Sequence, residues 1–149
     1  MLAAGGAYNK TGSVSRNRTQ IWEERKSGGH TRRNHWRDGP EMLYPRSEFG
    51  LATLADGRVM AAGGVIYSEQ GYTVAAWASL VEVLDPLTSR WNRVKNLTVP
   101  RQACALAALP DGGALVIGGT CVRRRHIHCR AAGDAVVLPT SLRCAMSLR

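Results

Sequence analysis

Two cysteines and two histidines near the carboxyl end are the residues whose types could bind a metal. They are Cys121, His126, His128 and Cys129. Alternate side chains of a strand point the same way, so both histidines could face one zinc or copper ion. The cysteines have no zinc-finger spacing, and the alternative is an irregular tail that binds no metal. We expect the tail, and therefore neither a metal nor a cofactor.

Catalytic motifs are missing from the sequence. It contains no nucleophile elbow, no paired-carboxylate motif and no helical metal-binding pattern. The two double glycines are not followed by lysine or by a helical pattern, which argues against a phosphate-binding loop. We therefore predict no catalytic residue.

The excess positive charge lies outside the regular part of the chain. Residues 1–35 carry seven basic and two acidic residues, 36–119 carry seven and eight, and 120–149 carry six and one, which together give the formal charge of +9. Charge in irregular flanks is more typical of solvated loops than of a phosphate-binding surface. Arg123, Arg124 and Arg125 could form a weak nucleic-acid patch, but we do not expect nucleic acid as a partner. The sequence also lacks an apolar stretch long enough to cross a membrane.

A repeat with a period of 55 residues organises the middle of the chain. Ten residue types recur at that spacing without insertion. They are Trp36 and Trp91, Pro45 and Pro100, Arg46 and Arg101, Leu51 and Leu106, Ala52 and Ala107, Leu54 and Leu109, Asp56 and Asp111, Gly57 and Gly112, Gly63 and Gly118, and Gly64 and Gly119. Self-similarity at this period predicts a stacked or radial array, in which each unit buries its faces against its neighbours. We expect the repeated tryptophans to pack between units and the repeated glycines to be structural.

Each repeat begins with a hairpin signal. An Asp-Gly step lies between two short apolar runs, at Asp56-Gly57 and again at Asp111-Gly112, which predicts a type I′ turn with positive φ at both residues. The paired strands would be 51–54 with 59–62, and 105–109 with 115–117. A third strand is predicted at 80–84, Asp85-Pro86 should open a turn, and Trp91 should begin a fourth strand. Four strands per repeat are typical of a β-propeller blade.

The order of these features resembles the kelch repeat of β-propellers. It runs from arginine through an L-x-D-G hairpin, a strand ending in G-G and a strand reading E-V-L-D-P-x-T to tryptophan, and it is similar to repeats of galactose oxidase-like and glyoxal oxidase-like proteins. Leu84 stands where such repeats commonly have tyrosine. The resemblance implies an all-β, partial kelch-type propeller of four-stranded antiparallel blades. In the galactose oxidase family it also implies a copper site of tyrosines, histidines and a cysteine-linked tyrosine, but no position here can be matched to those ligands.

The resemblance divides the chain into four parts. Residues 1–45 are a partial blade with a long basic loop, 46–99 a complete repeat, 100–119 the first hairpin of another repeat, and 120–149 an irregular basic tail in which 135–138 could form one short strand. A little over two blades cannot close a ring. We expect either a fragment of a longer propeller or self-association of several copies. Three Asn-x-Thr sequons, beginning at Asn9, Asn17 and Asn96, would suit an extracellular parent, but the sequence leaves the compartment open.

Strand alternation places the long loop 65–79 and the crossing 91–101 on one rim, opposite Asp56 and Asp85. Long loops on rigid scaffolds often carry binding, so this rim is the candidate surface for a protein partner. Its candidate residues are Tyr67, Gln70, Tyr72, Trp77, Arg46 and Arg101. The two arginines could instead link blades. We predict a non-catalytic interaction module; the alternative is a piece of a secreted copper enzyme whose catalytic residues lie elsewhere.

Overall fold

The described part of the chain is built entirely from β-strands. The computed structural model describes residues 2–5, 7–8, 14–23, 35–67, 74–123, 126–127 and 136–138. These residues form no helix, and so no helix that could cross a membrane. The strands in chain order are β1 (Leu2–Ala4), β2 (Ala7–Tyr8), β3 (Val14–Ser15), β4 (Thr19–Glu23), β5 (His35–Asp38), β6 (Gly50–Thr53), β7 (Val59–Ala62), β8 (Val65–Tyr67), β9 (Val74–Trp77), β10 (Val81–Asp85), β11 (Arg90–Arg93), β12 (Arg101–Gln102), β13 (Ala105–Ala108), β14 (Ala114–Ile117), β15 (Thr120–Arg123), β16 (His126–Ile127) and β17 (Val136–Leu138).

Three antiparallel sheets form successive blades. The first blade has the order β1-β4-β5, the middle blade β11-β10-β7-β6, and the last blade β13-β14-β17. The prediction of an all-β, partial β-propeller is confirmed. The predicted strand pairs in the middle and last blades are also present, with their bounds shifted by about one residue.

The third strand of the last blade comes from the basic tail. We expected the repeat pattern to stop after Gly118-Gly119, but β17 pairs antiparallel with β14 in the position that β10 has in the middle blade. Its sequence Val-Val-Leu explains this placement, because β-branched and apolar residues suit a strand that lies on a sheet. The short strand expected within 135–138 is therefore part of a blade.

Two apolar clusters join the blades. Between the first and middle blades lie Met42, Ala61, Leu84 and Trp91, with Leu2 and Ala4 of the first blade packed against them. Between the middle and last blades lies a second cluster. Its buried members are Leu54, Met60, Ala62, Val81, Val83, Leu97, Cys104, Ala114 and Val116. The alternating residues of β7 thus serve opposite sides, since Ala61 belongs to one cluster and Met60 and Ala62 to the other, as the period of two in a strand requires.

The Asp-Gly turns have a different geometry from the type I′ turn that the sequence predicts. The N–H of Gly57 donates to the Leu54 carbonyl at 3.0 Å, and the Leu54 N–H donates to the Arg58 carbonyl at 2.7 Å. Gly57 has a φ of +85°, whereas Asp56 is not among the residues with positive φ. This is a type I turn followed by a left-handed glycine. The Asp56 side chain accepts the N–H two residues ahead, at 3.1 Å, which holds this geometry in place. The same hydrogen bonds recur around Asp111 and Gly112, where Pro110 suits the second position of a type I turn.

The predicted loop 65–79 contains a β-hairpin. Strands β8 and β9 pair antiparallel, and residues 68–73 between them lie outside the described residues. Equivalent short hairpins follow the double glycines of the first blade, as β2–β3, and of the last blade, as β15–β16. All three leave their blades at the strand ends opposite the Asp-Gly turns, so one edge of the array carries a row of hairpins. We call it the hairpin edge.

Candidate binding surface

Arg46 connects the first blade to the middle blade. Its backbone N–H donates to the carbonyl of Arg16 at 3.1 Å. Its guanidinium donates to the carbonyls of Gly63 at 3.1 Å and Leu80 at 2.8 Å, and it forms an ion pair with Glu82. The ring of Phe49 lies 5.6 Å from the guanidinium carbon. One side chain thus ties the ends of β7 and β10 to the segment that leaves the first blade.

Glu82 is the counter-charge that makes this position possible. Both side chains of the pair are fully buried, and the second carboxylate oxygen accepts the N–H of Leu43 at 2.7 Å. Burial lowers the pKa of the Arg46 guanidinium, while the charge and hydrogen bond of Glu82 oppose that shift. A buried ion pair is costly to desolvate and holds only when its hydrogen bonds are well satisfied. The carboxylate therefore fixes where Arg46 can lie.

Arg101 makes the same connection one blade later. Its backbone N–H donates to the carbonyl of Ala78 at 3.4 Å, and its backbone carbonyl accepts the N–H of Gly64 at 2.6 Å. Both partners belong to the middle repeat. Its guanidinium donates to the Gly118 carbonyl at 2.9 Å, in the last repeat. In the middle blade Glu82 pairs with Ala61, and at the same register position of the last blade Val136 pairs with Val116. The last blade therefore has no carboxylate at that position.

These contacts correct part of the predicted rim. Arg46 is fully buried and Arg101 is only 3% exposed, so neither side chain lies on a surface open to a partner. Their guanidinium groups are drawn inward by strand-end carbonyls, which leave the hydrogen-bonding ladder where each strand stops. The linking role that we set beside the binding role is the one that the structure supports.

The two repeated tryptophans have different environments. Trp91 is 5% exposed, and its indole N–H donates to the carbonyl of Pro40 at 2.9 Å. Trp36 is 41% exposed and lies with its ring centroid 5.3 Å from that of Trp22, its cross-strand neighbour. Trp91 therefore packs between the first and middle blades, whereas Trp36 lies on the face of the first blade that points away from the middle blade.

Three of the four repeated double-glycine residues lie so close to another backbone segment that a side chain would not fit. A Cβ on Gly63 would lie 2.5 Å from the carbonyl oxygen of Arg101, and one on Gly64 would lie 2.6 Å from that of Ser47. A Cβ on Gly119 would meet the carbonyl of Gln102 in the same way, whereas one on Gly118 would have no atom of the described residues within 4 Å. The structural role predicted for these glycines follows from positive φ at all four and from crowding at three.

Tyr67 is the rim residue whose side chain the structure places on the hairpin edge. Its phenol donates to a carboxylate oxygen of Glu48 at 2.8 Å, and this hydrogen bond, together with slight burial and the nearby negative charge, raises the pKa of Tyr67. Trp77 pairs with Val65 through the backbone. Gln70 and Tyr72 lie outside the described residues. The prediction that these side chains bind a partner stays a prediction.

A metal centre is not formed by the part of the chain that the structure describes. Those residues contain no group of three or more histidines, cysteines, aspartates or glutamates that could hold an ion. His126 pairs with Arg123 in the last hairpin, while His128 and Cys129 lie outside the described residues. The described residues therefore do not fit a copper site, and we assign them no step in copper chemistry.

Sequence reasoning missed Glu82 and Glu48. Glu82 stands in the apolar run Leu-Val-Glu-Val-Leu, where an acidic residue is out of place unless it is paired. That anomaly, together with an arginine repeated at a blade crossing, was the available signal. Glu48 gave none, because its partner Tyr67 becomes a neighbour only when the chain folds.

Comparison with known proteins gives a fold and no family. No protein-family model and no curated protein matches the sequence. Among solved structures, the chain is similar to "Novel fungal alcohol oxidase with catalytic diversity among the AA5 family, in complex with copper", with a TM-score of 0.64 and 20% sequence identity. The match covers 85% of this chain and 25% of the fungal structure. At this identity the likeness shows the fold alone: this chain has the architecture of one quarter of that oxidase structure.

Proposed function

We propose that the chain is a framework segment of an alcohol oxidase-like propeller, and that it supplies blades rather than catalytic residues. The observation that carries the proposal is the structural likeness over most of the chain to a copper-containing alcohol oxidase. Fold does not imply chemistry, so the oxidase activity has to be tested directly.

The internal contacts support the framework role. The hydrogen bonds of three charged side chains go to strand ends and blade crossings; the side chains are those of Arg46, Glu82 and Arg101. Trp91 fills the space between two blades and donates to Pro40. These side chains leave no charged group free for a reacting substrate at the crossings they occupy. What they supply is a fixed spacing between blades, which a site built from several blades requires.

The test is an oxidase assay on the natural protein that contains this sequence, purified from its source and loaded with copper(II). An alcohol oxidase removes two electrons and two protons from a primary alcohol and passes them to dioxygen, giving an aldehyde and hydrogen peroxide. We expect alcohol-dependent peroxide that disappears when a chelator removes the copper. A copper-loaded protein that yields no peroxide from galactose or benzyl alcohol would contradict the proposal.

A second candidate is a protein-binding module, favoured by the row of hairpins along one edge. Three successive repeats place a hairpin there, and Tyr67 lies on the middle one. Tyrosine on a rigid scaffold is a frequent anchor for partners. Crosslinking through a photoreactive group at Tyr67 separates the two candidates. A single specific crosslinked protein favours the module, and labelling no stronger than from a group at Arg90 argues against it.

A further inference from the structure

We propose that a cleft on the outer face of the first blade binds the arginine side chain of an extended Pro-Arg segment, as the middle blade holds Arg46. The cleft has a volume of about 190 Å³ and is lined by Ala3, Ala4, Gly5, Arg18, Gln20 and Asp38. It lies on the side of the sheet away from the middle blade, because Ala3, Gln20 and Asp38 are partners across β1, β4 and β5, and Ala3 alternates with Leu2, which packs toward the middle blade.

The cleft corresponds position by position to the site of Arg46. In the first blade Ala3 pairs with Gln20, as Ala61 pairs with Glu82 in the middle blade. The N–H of Gly5 donates to the carbonyl of Arg18 at 2.9 Å, as that of Gly63 donates to Leu80 at 3.0 Å.

The correspondence extends to the neighbouring segment. A Cβ on Gly5 would meet the Arg46 carbonyl oxygen, as one on Gly63 would meet that of Arg101. Gly5, Arg18 and Gln20 thus stand where Gly63, Leu80 and Glu82 accept the guanidinium of Arg46.

The chemistry of the cleft suits a guanidinium group. A carbonyl oxygen has two lone pairs, so the Arg18 carbonyl can accept a ligand N–H while it keeps the bond from Gly5. Gln20 offers its side-chain carbonyl in place of the carboxylate, and Asp38 supplies negative charge on the adjoining strand. Several acceptors spread around one point match the planar, forked guanidinium better than the single ammonium of lysine. The exposed Arg18 side chain is a like charge at the rim, where the middle blade has Leu80, so we expect modest affinity.

The occupant is specified by the two arginines that already fill such positions. Arg46 and Arg101 both follow a proline, at Pro45 and Pro100. Proline restricts the residue before it to extended conformations, which suits a segment that crosses from one blade to the next. A partner with an exposed Pro-Arg dipeptide in an extended segment therefore has the right chemistry for this cleft.

The experiment titrates the full 149-residue chain with an acetylated, amidated peptide of the sequence LYPRSE, which copies residues 43–48, by isothermal calorimetry. The control peptide carries citrulline, which keeps the shape of arginine and removes its charge. We expect one peptide per chain and an affinity about tenfold higher for arginine than for citrulline. No binding of the arginine peptide at millimolar concentration, or equal binding of the two peptides, would overturn the proposal.

Two substitutions at exposed positions test the location of the site. Gln20→Glu restores the carboxylate of the middle blade and should strengthen binding about tenfold, whereas Asp38→Asn should weaken it about threefold. Asp56→Asn makes the same chemical change at the opposite strand ends and should leave the affinity unchanged. If Gln20→Glu and Asp38→Asn change the affinity no more than Asp56→Asn does, the cleft is not the site. Circular dichroism of each variant checks that it is folded.

Discussion

Trp36 and Trp91 occupy one position of the repeat in two neighbouring blades, and they differ in what covers them. Trp91 pairs with Leu84 and lies in a cluster completed by Leu2 and Ala4 of the first blade. Trp36 pairs with Trp22, and its side chain is 41% exposed. The two residues share a sequence pattern and a strand register. Burial in this array is therefore a property of the contact between blades and is not encoded by a single repeat.

The largest expected effect is on the buried tryptophan. Trp91→Ala should lower the free energy of unfolding by about 4 kcal/mol, because it leaves a cavity between blades and removes the donor to Pro40. The matched Trp36→Ala should cost about 1 kcal/mol, the contribution of an exposed aromatic pair. Urea unfolding of both variants measures the difference, and equal losses would show that the outer face is as well covered as the inner one.

The second effect concerns the charge that holds the blade crossing. Glu82→Gln keeps the size of the side chain and leaves Arg46 buried without its counter-charge, so we expect a loss of about 3 kcal/mol. Gln20→Ala, at the equivalent position on the exposed face, should change the stability by no more than about 0.5 kcal/mol. The same unfolding experiment decides the matter. A small effect at Glu82 would mean that the strand-end carbonyls alone hold Arg46.

A third test compares glycines at one repeat position. Gly63 and Gly118 both have positive φ, at +74° and +65°. A Cβ on Gly63 would meet a neighbouring carbonyl, whereas a Cβ on Gly118 would meet none in the part of the chain that the structure describes. Gly118→Ala should cost about 1 kcal/mol from backbone strain alone. Gly63→Ala should cost about 2 kcal/mol or more, since its Cβ would also collide with Arg101. Thermal melts of the two variants measure the difference. A larger loss of stability in Gly118→Ala than in Gly63→Ala would contradict the crowding assigned to Gly63.

The smallest effect belongs to the exposed pair on the hairpin edge. The hydrogen bond to Glu48 raises the pKa of Tyr67, so its stabilising contribution is fully present below the ordinary tyrosine pKa and is lost as the pH rises through the raised value. We expect part of the loss of stability above about pH 10 to disappear in Tyr67→Phe. Phenolate absorbance during an alkaline titration gives the midpoint. Glu48→Gln should return that midpoint toward the ordinary value, and an unchanged midpoint would mean that the pair does not form in solution.

The fold was predictable to the extent that it depends on local signals. Asp56-Gly57 and Asp85-Pro86 located two turns, and the apolar runs on either side located the strands that pair. The type of the Asp-Gly turn was not predictable from the dipeptide, because the choice depends on whether the aspartate side chain captures the N–H two residues ahead.

The site was less predictable because it depends on tertiary neighbours. The repeat marks Arg46 as important, but only the folded chain shows Glu82 beside it, 36 residues away, and so distinguishes a buried link from an exposed contact. The hairpin β8–β9 was not predictable from the sequence for a similar reason. Its strands are short and obtain their support from the adjoining chain at Ser47.

The crossing at Arg101 has a consequence for how the chain opens in solution. The backbone of Arg101 is hydrogen-bonded to the middle blade and its side chain to the last blade. The two blades therefore cannot separate without breaking the hydrogen bonds of Arg101. Amide hydrogens on both sides of this crossing, in β7 and β14, should therefore exchange with solvent in one concerted opening. Fraying that starts at either end of the array should therefore stop at the first intact crossing.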